Sequence, residues 1–324
     1  MGAGLVGTYV GGRLAAAGVP VTFIGRANLG SAWAAHGLTL SDLDGGRWAL
    51  PSLNWHTQVP REEAPPALVL LCVKSAATAE AAAQLGQCLP PGTCVVSLQN
   101  GVDNASIAQQ HAPQLLVLPG MVPFNVARAE PSRLHQGTSG QLMAADHPAL
   151  RAWLPVFAQA GLPLALRADM PAVQWAKLLL NLNNPVNALS GLPLRAQLLD
   201  RDWRRCTAAL MAEALQVLAR AQQPLARLTP LPPRWLPALL RAPTPVFRLL
   251  AARMLRIDDE ARSSMADDLR LGRPPEIDAL CGAVVLLGQR LGVPTPRNQA
   301  MLDALSGPKP VQASSGAAWR QRLI

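Results

Sequence analysis

The chain is poor in the residues that mark disulfide-rich, zinc-binding and membrane proteins. Its 324 residues include five cysteines without a C-x-x-C pair, which argues against a disulfide framework and a zinc site and favours a reducing compartment. Hydrophobic runs stay short of the ~20 residues of a membrane span, and no basic stretch with an apolar core marks a signal peptide. We therefore expect a cytoplasmic protein without a metal site or a membrane partner.

Charged and aromatic residues are scarce as well. Half of the residues are hydrophobic and only 15% are charged, which is typical of a compact enzyme rather than a disordered protein. The net charge of +9 could indicate a nucleic-acid partner, but the chain has one tyrosine and no basic block interleaved with aromatics. We expect no nucleic acid, and interpret the positive charge as a bias that suits an anionic cofactor and substrate.

What the chain does have is a G-x-G-x-x-G turn at its start. The turn consists of Gly2, Ala3, Gly4, Leu5, Val6 and Gly7. A helical pattern over 8–17 and a β-branched run over 19–24 follow it, in the order of a dinucleotide-binding βαβ unit without its first strand. The pattern predicts a pyrophosphate at the helix N-terminus, against a chance glycine cluster. We expect the native protein to carry an apolar strand in front of these glycines.

The end of the following strand bears on the choice of cofactor. An NAD site usually has an acid ~20 residues past the glycines, where it holds the ribose 2′-hydroxyl. Here the run ends in Gly25-Arg26, and the first acid downstream is Asp42. An arginine at this place can pair with a 2′-phosphate, although a solvated loop arginine is the simpler alternative. We expect NADPH rather than NADH.

Secondary-structure patterns divide the chain into two domains. Over residues 1–167, apolar runs alternate with helical ones, as in a doubly wound α/β sheet. Helical patterns dominate 168–305, and 306–324, rich in Gly, Ser and Pro, is expected to be a flexible tail. The predicted strands cover 68–73, 94–98 and 115–118, with an antiparallel extension over 122–144. The predicted helices of the second domain cover 171–189, 195–221, 234–255, 259–271 and 276–291. We predict a Rossmann-like domain that lacks its first strand, followed by an all-α domain.

Two predicted strands end in polar residues that fit a ligand site. Lys74 directly follows 68–73, and Gln99-Asn100-Gly101 directly follows 94–98. In an open α/β sheet, ligands lie beyond the carboxyl ends of the strands. We expect Lys74 and Asn100 on the rim where the cofactor would lie, although loops are polar in any case.

The second domain carries a polar stripe on an otherwise apolar helix. At ~3.6 residues per turn, Gln174, Lys177, Asn181 and Asn184 share one face. A helix that is apolar nearly all round is buried, so the stripe should face a cleft; the alternative is a stripe in water. A buried lysine suits proton transfer because burial depresses its pKa. Pro185 cannot bond the carbonyl of Asn181, so we expect the helix to kink or open there.

Ser264 and Glu276 are weaker candidates. Ser264 with Asp267 three residues on looks like a capping box. Glu276 after two prolines looks like an ordinary acid in the first turn of a helix. Their spacing alone does not make either residue functional.

Taken together, these residues resemble the pattern of the ketopantoate reductases (2-dehydropantoate 2-reductases). The resemblance covers about residues 1–305. It rests on the glycine turn, Arg26, Lys74, Gln99-Asn100-Gly101, Lys177 with Asn181, and Ser264 with Glu276. It implies a Rossmann domain, a helical domain and a cleft between them. It also implies NADPH-dependent reduction of 2-dehydropantoate to pantoate, on the route to pantothenate and coenzyme A.

The resemblance implies roles for single residues. The cofactor would be held by the glycine turn, with Arg26 at the 2′-phosphate and Lys74 and Asn100 on the nicotinamide side. Lys177 would be the general acid, and Glu276 would either keep it charged or accept a hydrogen bond from a substrate hydroxyl. The substrate would be held by Asn181, Ser264 and Glu276, with Ser264 near its carboxylate, and Asn184 is a further substrate-binding candidate whose match to the family pattern is incomplete.

Two positions depart from the pattern of this family. Its second asparagine usually lies four residues past the first, where this chain has Pro185 with Asn184 and Asn187 beside it. A substrate-contacting asparagine three residues before the serine is replaced by Ala261. Another branched 2-oxo acid as substrate and a non-catalytic NADPH-binding protein therefore stay open as alternatives. A homodimer is compatible with the sequence, which does not fix the oligomeric state.

Overall fold

A computed structural model of the chain describes residues 1–60, 64–130, 132–252, 255, 261–307 and 315–323. The chain divides into two compact units, Met1–Met170 and Pro171–Ile324; the predicted boundary was 167/168. Parts of the predicted helices 234–255 and 259–271, and of the predicted tail, lie outside the described residues. Among the described residues, no helix combines the length and the apolar character needed to cross a bilayer.

The first unit is an α/β domain. Its strands are β1 (Thr22–Ile24), β2 (Leu38–Ser41), β3 (Arg47–Leu50), β4 (Asn54–His56), β5 (Leu68–Leu71), β6 (Cys94–Ser97), β7 (Leu116–Met121), β8 (Val126–Glu130), β9 (Arg133–Gln136), β10 (Leu142–Ala145) and β11 (Leu164–Arg167). Its helices are α1 (Leu5–Ala16), α2 (Ala27–His36), α3 (Thr78–Cys88), α4 (Asn104–His111), α5 (Pro148–Arg151) and α6 (Leu154–Gln159).

The main strands of this unit follow the order of a doubly wound sheet. Strand β1 pairs in parallel with β4, and β5, β6 and β7 pair in parallel with one another. The sheet continues through β10, antiparallel to β7, and β11. A second sheet, in the order β3-β2-β9-β8, contains the antiparallel pair β8–β9, which lies within the antiparallel extension predicted over 122–144. The prediction of an α/β doubly wound domain is confirmed.

Residues Met1 to Ala3 connect the two parts of the main sheet. The Met1 ammonium donates to the Leu70 carbonyl at 2.9 Å, and the Cys72 amide donates to the Met1 carbonyl at 2.8 Å. On the other side, the amides of Gly2 and Ala3 donate to the Ile24 carbonyl at 2.9 and 2.8 Å. Met1 thus takes a place between β1 and β5, where the first strand of a doubly wound sheet would lie.

The apolar pattern of the central strands explains their burial. Strand β6 is buried at all four positions, because helices pack on both faces of a parallel sheet. One core cluster includes Val96 of β6 with Tyr9 and Val10 of α1. The other includes Val95 with Leu85 of α3 and Ala108 of α4. Successive residues of β6 therefore pack into the two cores on opposite faces of the sheet.

The second unit is helical. Its helices are α7 (Met170–Asn181), α8 (Asn183–Ser190), α9 (Leu194–Leu199), α10 (Arg201–Arg220), α11 (Leu236–Arg241), α12 (Thr244–Leu250), α13 (Ser264–Arg270), α14 (Ala283–Leu291), α15 (Pro296–Ser306) and α16 (Gly316–Leu323). The predicted helix 195–221 is divided by Asp200, whose side chain caps α10 by accepting from the amides of Asp202 and Trp203 at 2.8 and 3.1 Å. The prediction of an all-α second unit is confirmed for the described residues.

The prediction of a flexible tail over 306–324 is wrong for the last part of that segment. Residues 316–323 form α16, in which Trp319 and Leu323 are buried. The ring of Trp203 lies 3.1 Å from the position that a β carbon on Gly316 would take. The composition of the segment is that of a loop, but two apolar side chains and a close helix contact hold its end in place.

Candidate functional site

The glycine turn lies where the strand order of the first unit reverses. Ile24, the last residue of β1, accepts from the amide of Gly2, and Cys72, just after β5, donates to Met1. Helix α1 begins at Leu5, so the first helical N–H groups, which have no intrahelical partner, follow directly on the turn. This placement at a switch point, next to a helix N-terminus, is that of a dinucleotide pyrophosphate site.

Each of the three glycines meets a different surrounding. Gly2 has φ +84°, and a β carbon there would lie 2.7 Å from the Cys72 carbonyl carbon. A β carbon on Gly7 would lie 2.6 Å from the Gly2 carbonyl oxygen. At Gly4, no atom of the described residues lies within 4 Å of the same position. Backbone packing therefore requires the first and third glycines, and open space adjoins the second, which fits a cradle for a phosphate group.

Arg26 lies beside this turn. It is exposed and occupies the N-cap position of α2, two residues after β1 ends. The ring of Trp55 packs against Gly25 and Gly30 on either side of it, which fixes the backbone between β1 and α2. Arg26 thus lies at the edge of the sheet where the sequence predicts the 2′-phosphate.

Lys74 and Asn100 lie on neighbouring loops of the same edge. Lys74 is exposed and precedes the 3₁₀ turn Ser75–Ala77. Asn100 is half-buried, and its carbonyl accepts from the Ser75 hydroxyl at 3.3 Å. The predicted cofactor residues of the first unit are therefore brought together by the carboxyl ends of β1, β5 and β6.

The polar stripe of the second unit is withdrawn from water. Gln174 and Asn181 are buried, and Lys177 and Asn184 are partly buried. Burial lowers the pKa of Lys177 from 10.5 to about 8. The alternative of a stripe in water is wrong. A lysine with a pKa close to neutrality can donate a proton and be recharged at physiological pH.

The helix that carries this stripe is interrupted, as the sequence predicts. Helix α7 ends at Asn181, α8 begins at Asn183, and Leu182 between them has φ −61° and ψ −10°. The cause is Pro185, which has no N–H to offer the Asn181 carbonyl. The two asparagines of the stripe, Asn181 and Asn184, therefore lie on different helices.

Ser264 does not have the capping role that the sequence left open. Helix α13 is capped by Ser263, whose hydroxyl oxygen accepts from the Ala266 amide at 3.2 Å. The Ser263 hydroxyl donates to the Asn184 carbonyl at 3.2 Å, and its amide donates to Asn187 Oδ1 at 2.9 Å. Because Ser263 is hydrogen-bonded to α8, Ser264 is held exposed at the start of α13, beside α8, the helix that directly follows the one carrying Lys177 and Asn181.

Glu276 lies outside the regular helices. It is partly buried and stands two residues before a π-helical turn, Asp278–Gly282, that leads into α14. The interpretation of Glu276 as an acid within the first turn of a helix is therefore wrong. Single π turns are frequent at functional sites, but the role of Glu276 stays a prediction.

Sequence reasoning missed several buried polar residues around these candidates. Thr78 and Asn104 hydrogen-bond to each other at 2.9 Å beneath the loops of Lys74 and Asn100. Asn187, fully buried, joins α8 to Ser263. In the sequence, each of these residues is only a polar residue in the first turn of a helix or next to a helix break. Such residues are common, and their role becomes visible only when the folded structure brings the loops together. In the described parts of the chain, no cluster of three or more His, Cys, Asp or Glu side chains could hold a metal ion.

Comparisons with known proteins point to one family. Residues 1–149 match the family described as Ketopantoate reductase PanE/ApbA, and residues 169–309 match Ketopantoate reductase PanE/ApbA C terminal. A 2-dehydropantoate 2-reductase of Halobacterium salinarum is 28% identical over 315 residues, which are 93% of this chain and 95% of the relative.

Solved structures agree with this result. A PanE/ApbA family ketopantoate reductase from Ralstonia eutropha JMP134 superposes with a TM-score of 0.79 at 27% identity, covering 100% of this chain and 98% of that one. A D-mandelate dehydrogenase in complex with NADH and anilino(oxo)acetate, 19% identical, has the same fold, with a TM-score of 0.76 and 99% and 97% coverage. The two family matches together span most of the sequence, and the chain therefore belongs to the ketopantoate reductase family of oxidoreductases.

Proposed function

We propose that this protein reduces 2-dehydropantoate to pantoate with NADPH, in the synthesis of pantothenate and coenzyme A. The observation that carries the proposal is Lys177, a partly buried lysine whose pKa burial lowers to about 8. It lies one helical turn before Asn181 on α7, and the next helix, α8, holds Ser263, the residue before Ser264. An ammonium, a buried amide and an exposed hydroxyl are groups that suit a substrate with a ketone and a carboxylate.

The protein's own residues would act as follows. Ser264 binds the substrate carboxylate, while Asn181 and Asn184 orient the substrate. The hydride for the ketone carbon would come from NADPH when it is bound. Lys177 stabilises the negative charge that develops on the ketone oxygen and gives that oxygen a proton. Glu276 keeps Lys177 charged or accepts a hydrogen bond from a substrate hydroxyl.

The preference for NADPH over NADH rests on Arg26. It stands at the end of β1, where an acid would hold the ribose of NAD. A planar guanidinium can bind a phosphate through two hydrogen bonds. The glycine turn would hold the pyrophosphate, and Lys74 and Asn100 would lie on the nicotinamide side.

A second candidate is the same reaction on another branched 2-oxo acid. Pro185 stands where the family pattern has an asparagine, and Ala261 replaces another. Both changes remove amide groups that would otherwise contact the substrate. A third candidate is an NADPH-binding protein without activity.

One set of assays separates these candidates. We expect turnover of 2-dehydropantoate with NADPH to exceed that of other branched 2-oxo acids, and turnover with NADPH to exceed that with NADH. Lys177→Ala should lower kcat by about 10²–10⁴-fold, the usual contribution of a general acid, and leave the Kd for NADPH nearly unchanged. Arg220→Ala, at the exposed end of α10, is the control and should keep full activity.

The outcomes differ for each candidate. A higher kcat/KM for another 2-oxo acid would replace the proposed substrate. Turnover by Lys177→Ala equal to that of the unmodified protein would remove Lys177 from the mechanism. NADPH binding without turnover of any 2-oxo acid would favour the non-catalytic protein.

A further inference from the structure

A buried chain of polar side chains runs beneath the loops that carry Lys74 and Asn100. The Ser97 hydroxyl donates to Gln99 Oε1 at 2.9 Å, and Gln99 Nε2 donates to Thr78 Oγ1 at 2.6 Å. Thr78 Oγ1 in turn donates to Asn104 Oδ1 at 2.9 Å. All four side chains are at least nine-tenths buried. We refer to Thr78, Gln99 and Asn104 as the polar brace.

The brace ends on the backbone of both candidate residues. Gln99 Nε2 also donates to the Val73 carbonyl at 3.0 Å, which belongs to the peptide unit that leads into Lys74. Asn104 Nδ2 donates to the Asn100 carbonyl and, at 3.2 Å, to the Ser75 hydroxyl. One continuous network therefore fixes the main chain next to Lys74 and at Asn100.

Every side-chain donor hydrogen of the brace is used, and each of its side-chain oxygens accepts a hydrogen bond. Both amide hydrogens of Gln99 and both of Asn104 are donated, and the Thr78 hydroxyl both donates and accepts. Buried polar groups that are fully paired resist rearrangement, because any other orientation leaves a donor or acceptor without a partner. The geometry of the two loops is therefore set before a ligand arrives.

Stability alone does not explain why the brace connects these points. Apolar side chains of similar volume would fill the same space without the cost of burying amides. The brace instead joins the first residue of α3, the first residue of α4 and the end of β6. These are three of the four elements that flank the two candidate loops, the fourth being β5.

We propose that Thr78, Gln99 and Asn104 are positioning residues that hold Lys74 and Asn100 in register on the nicotinamide side of the bound cofactor. This inference rests on the proposed function, because it takes the two loops as part of the cofactor site. A loss of the brace should disturb the nicotinamide half of the ligand and spare the adenosine half, which the glycine turn and Arg26 would hold.

The test compares Thr78→Val, which removes the hydroxyl at nearly constant volume, with Thr78→Ser, which restores it. Thr93→Val is the matched control, since the Thr93 hydroxyl donates to the Pro90 carbonyl at 2.8 Å in the turn before β6. For each variant we would measure the Kd for NADPH, the Kd for 2′,5′-ADP, kcat with 2-dehydropantoate, and Tm.

We expect Thr78→Val to lower kcat about tenfold or more and to weaken NADPH several-fold, with 2′,5′-ADP binding unchanged. Thr78→Ser and Thr93→Val should stay within about twofold of the unmodified protein. In a Lys74→Ala, Asn100→Ala background, Thr78→Val should have little further effect, because residues that act through one another are not additive.

Three results would overturn the inference. The first is an unchanged kcat and NADPH affinity in Thr78→Val, with only Tm lowered. The second is an equal loss of NADPH and 2′,5′-ADP binding. The third is full additivity with the double alanine variant. The two binding measurements need no turnover, so a failure of the proposed reaction would leave the inference testable.

Discussion

At the scale of the single residue, Lys177 determines how the activity should depend on pH. Its ammonium is destabilised by burial, which lowers its pKa from 10.5 to about 8. A general acid must be protonated before it acts, so reduction requires the form that dominates below that pKa. We predict that kcat/KM for the reduction falls about tenfold for each pH unit above about 8, where kcat/KM reports the free protein. A profile measured from pH 6 to 10 that stays flat through pH 9 would contradict this role.

The burial of Lys177 should also lower the free energy of unfolding of the protein. Its folded pKa lies below the unfolded value of ~10.4, so the unfolded chain binds more protons between about pH 8 and 10.5. The destabilisation is therefore full below pH 8 and disappears as the pH rises through this window. As a companion to the pH profile, Lys177→Met should raise the free energy of unfolding at pH 7 by about 1–2 kcal/mol, allowing for partial exposure, and should lose activity.

Single residues also show what a sequence can reveal about a site. The glycine turn, Arg26 and Lys74 were found because each occupies a fixed place relative to a strand or helix, and that place persists in the structure. The sequence placed the helix cap at Ser264, whereas the structure places it at Ser263, and adjacent serines have the same capping propensity. The choice depends on Asn184 and Asn187, which contact Ser263 only after α8 and α13 have packed together.

At the scale of the element, helix boundaries followed local chemistry where one residue dominates. Pro185 divided the predicted helix 171–189 at Leu182, and Asp200 divided the predicted helix 195–221. Both effects are local, because a missing N–H and a capping carboxylate act within one turn. The π turn before α14 has no such single cause in the sequence, which predicted a continuous helix over 276–291.

Among the contacts between helices, those of Arg204 have the clearest consequence for stability. It is fully buried on α10 and donates to the carbonyls of Leu198, Leu199, Leu240 and Ala242 at 2.9–3.1 Å, and to the Thr244 hydroxyl at 3.2 Å. Its guanidinium also lies 4.3 Å from the centroid of the Phe247 ring. One side chain therefore joins the ends of α9 and α11 to the start of α12.

We predict that Arg204→Lys lowers the free energy of unfolding by about 2–4 kcal/mol. A lysine keeps the charge but cannot donate to five separated acceptors, so buried carbonyls lose their partners. Arg201→Lys, at an exposed position of the same helix, is the control and should stay within about 0.5 kcal/mol. Chemical denaturation followed by circular dichroism measures both variants, and equal midpoints would refute the assigned role of Arg204.

At the scale of the whole molecule, the sequence predicted an α/β unit followed by an all-α unit. It predicted the second sheet and the last helix less well. Continuous apolar runs identified β5 and β6, because the strands of a parallel sheet are buried on both faces and therefore consist mostly of apolar residues. The sequence predicted the second sheet only in part, because β2 and β3 are short and every other residue of β3 is exposed. The helix α16 was missed because its stability comes from contacts of Trp319, Leu323 and Gly316 rather than from its composition.

The centre of the main sheet is the part of the molecule where a change at the N-terminus should matter most. Among the described residues, Met1, Gly2 and Ala3 supply the pairing between β1 and β5. The Met1 ammonium is buried there, and this burial lowers the pKa of the amine. A peptide N–H at the same place could donate to the Leu70 carbonyl without the cost of desolvating a charge.

We therefore predict that an extension of about five alternating Val and Thr residues fused in front of Met1 raises Tm by several degrees. The added backbone would pair with the edges of β1 and β5, and the buried ammonium would become an amide. A Gly-Ser extension of equal length is the control, since it removes the charge but has little strand propensity, and it should give only part of the gain. We expect the Val/Thr extension also to tighten NADPH binding, because the glycine turn follows directly on the added strand. Differential scanning calorimetry without and with NADPH measures the rise in Tm and the tighter binding. Equal Tm values for the two extensions would mean that the place between β1 and β5 does not accept a strand.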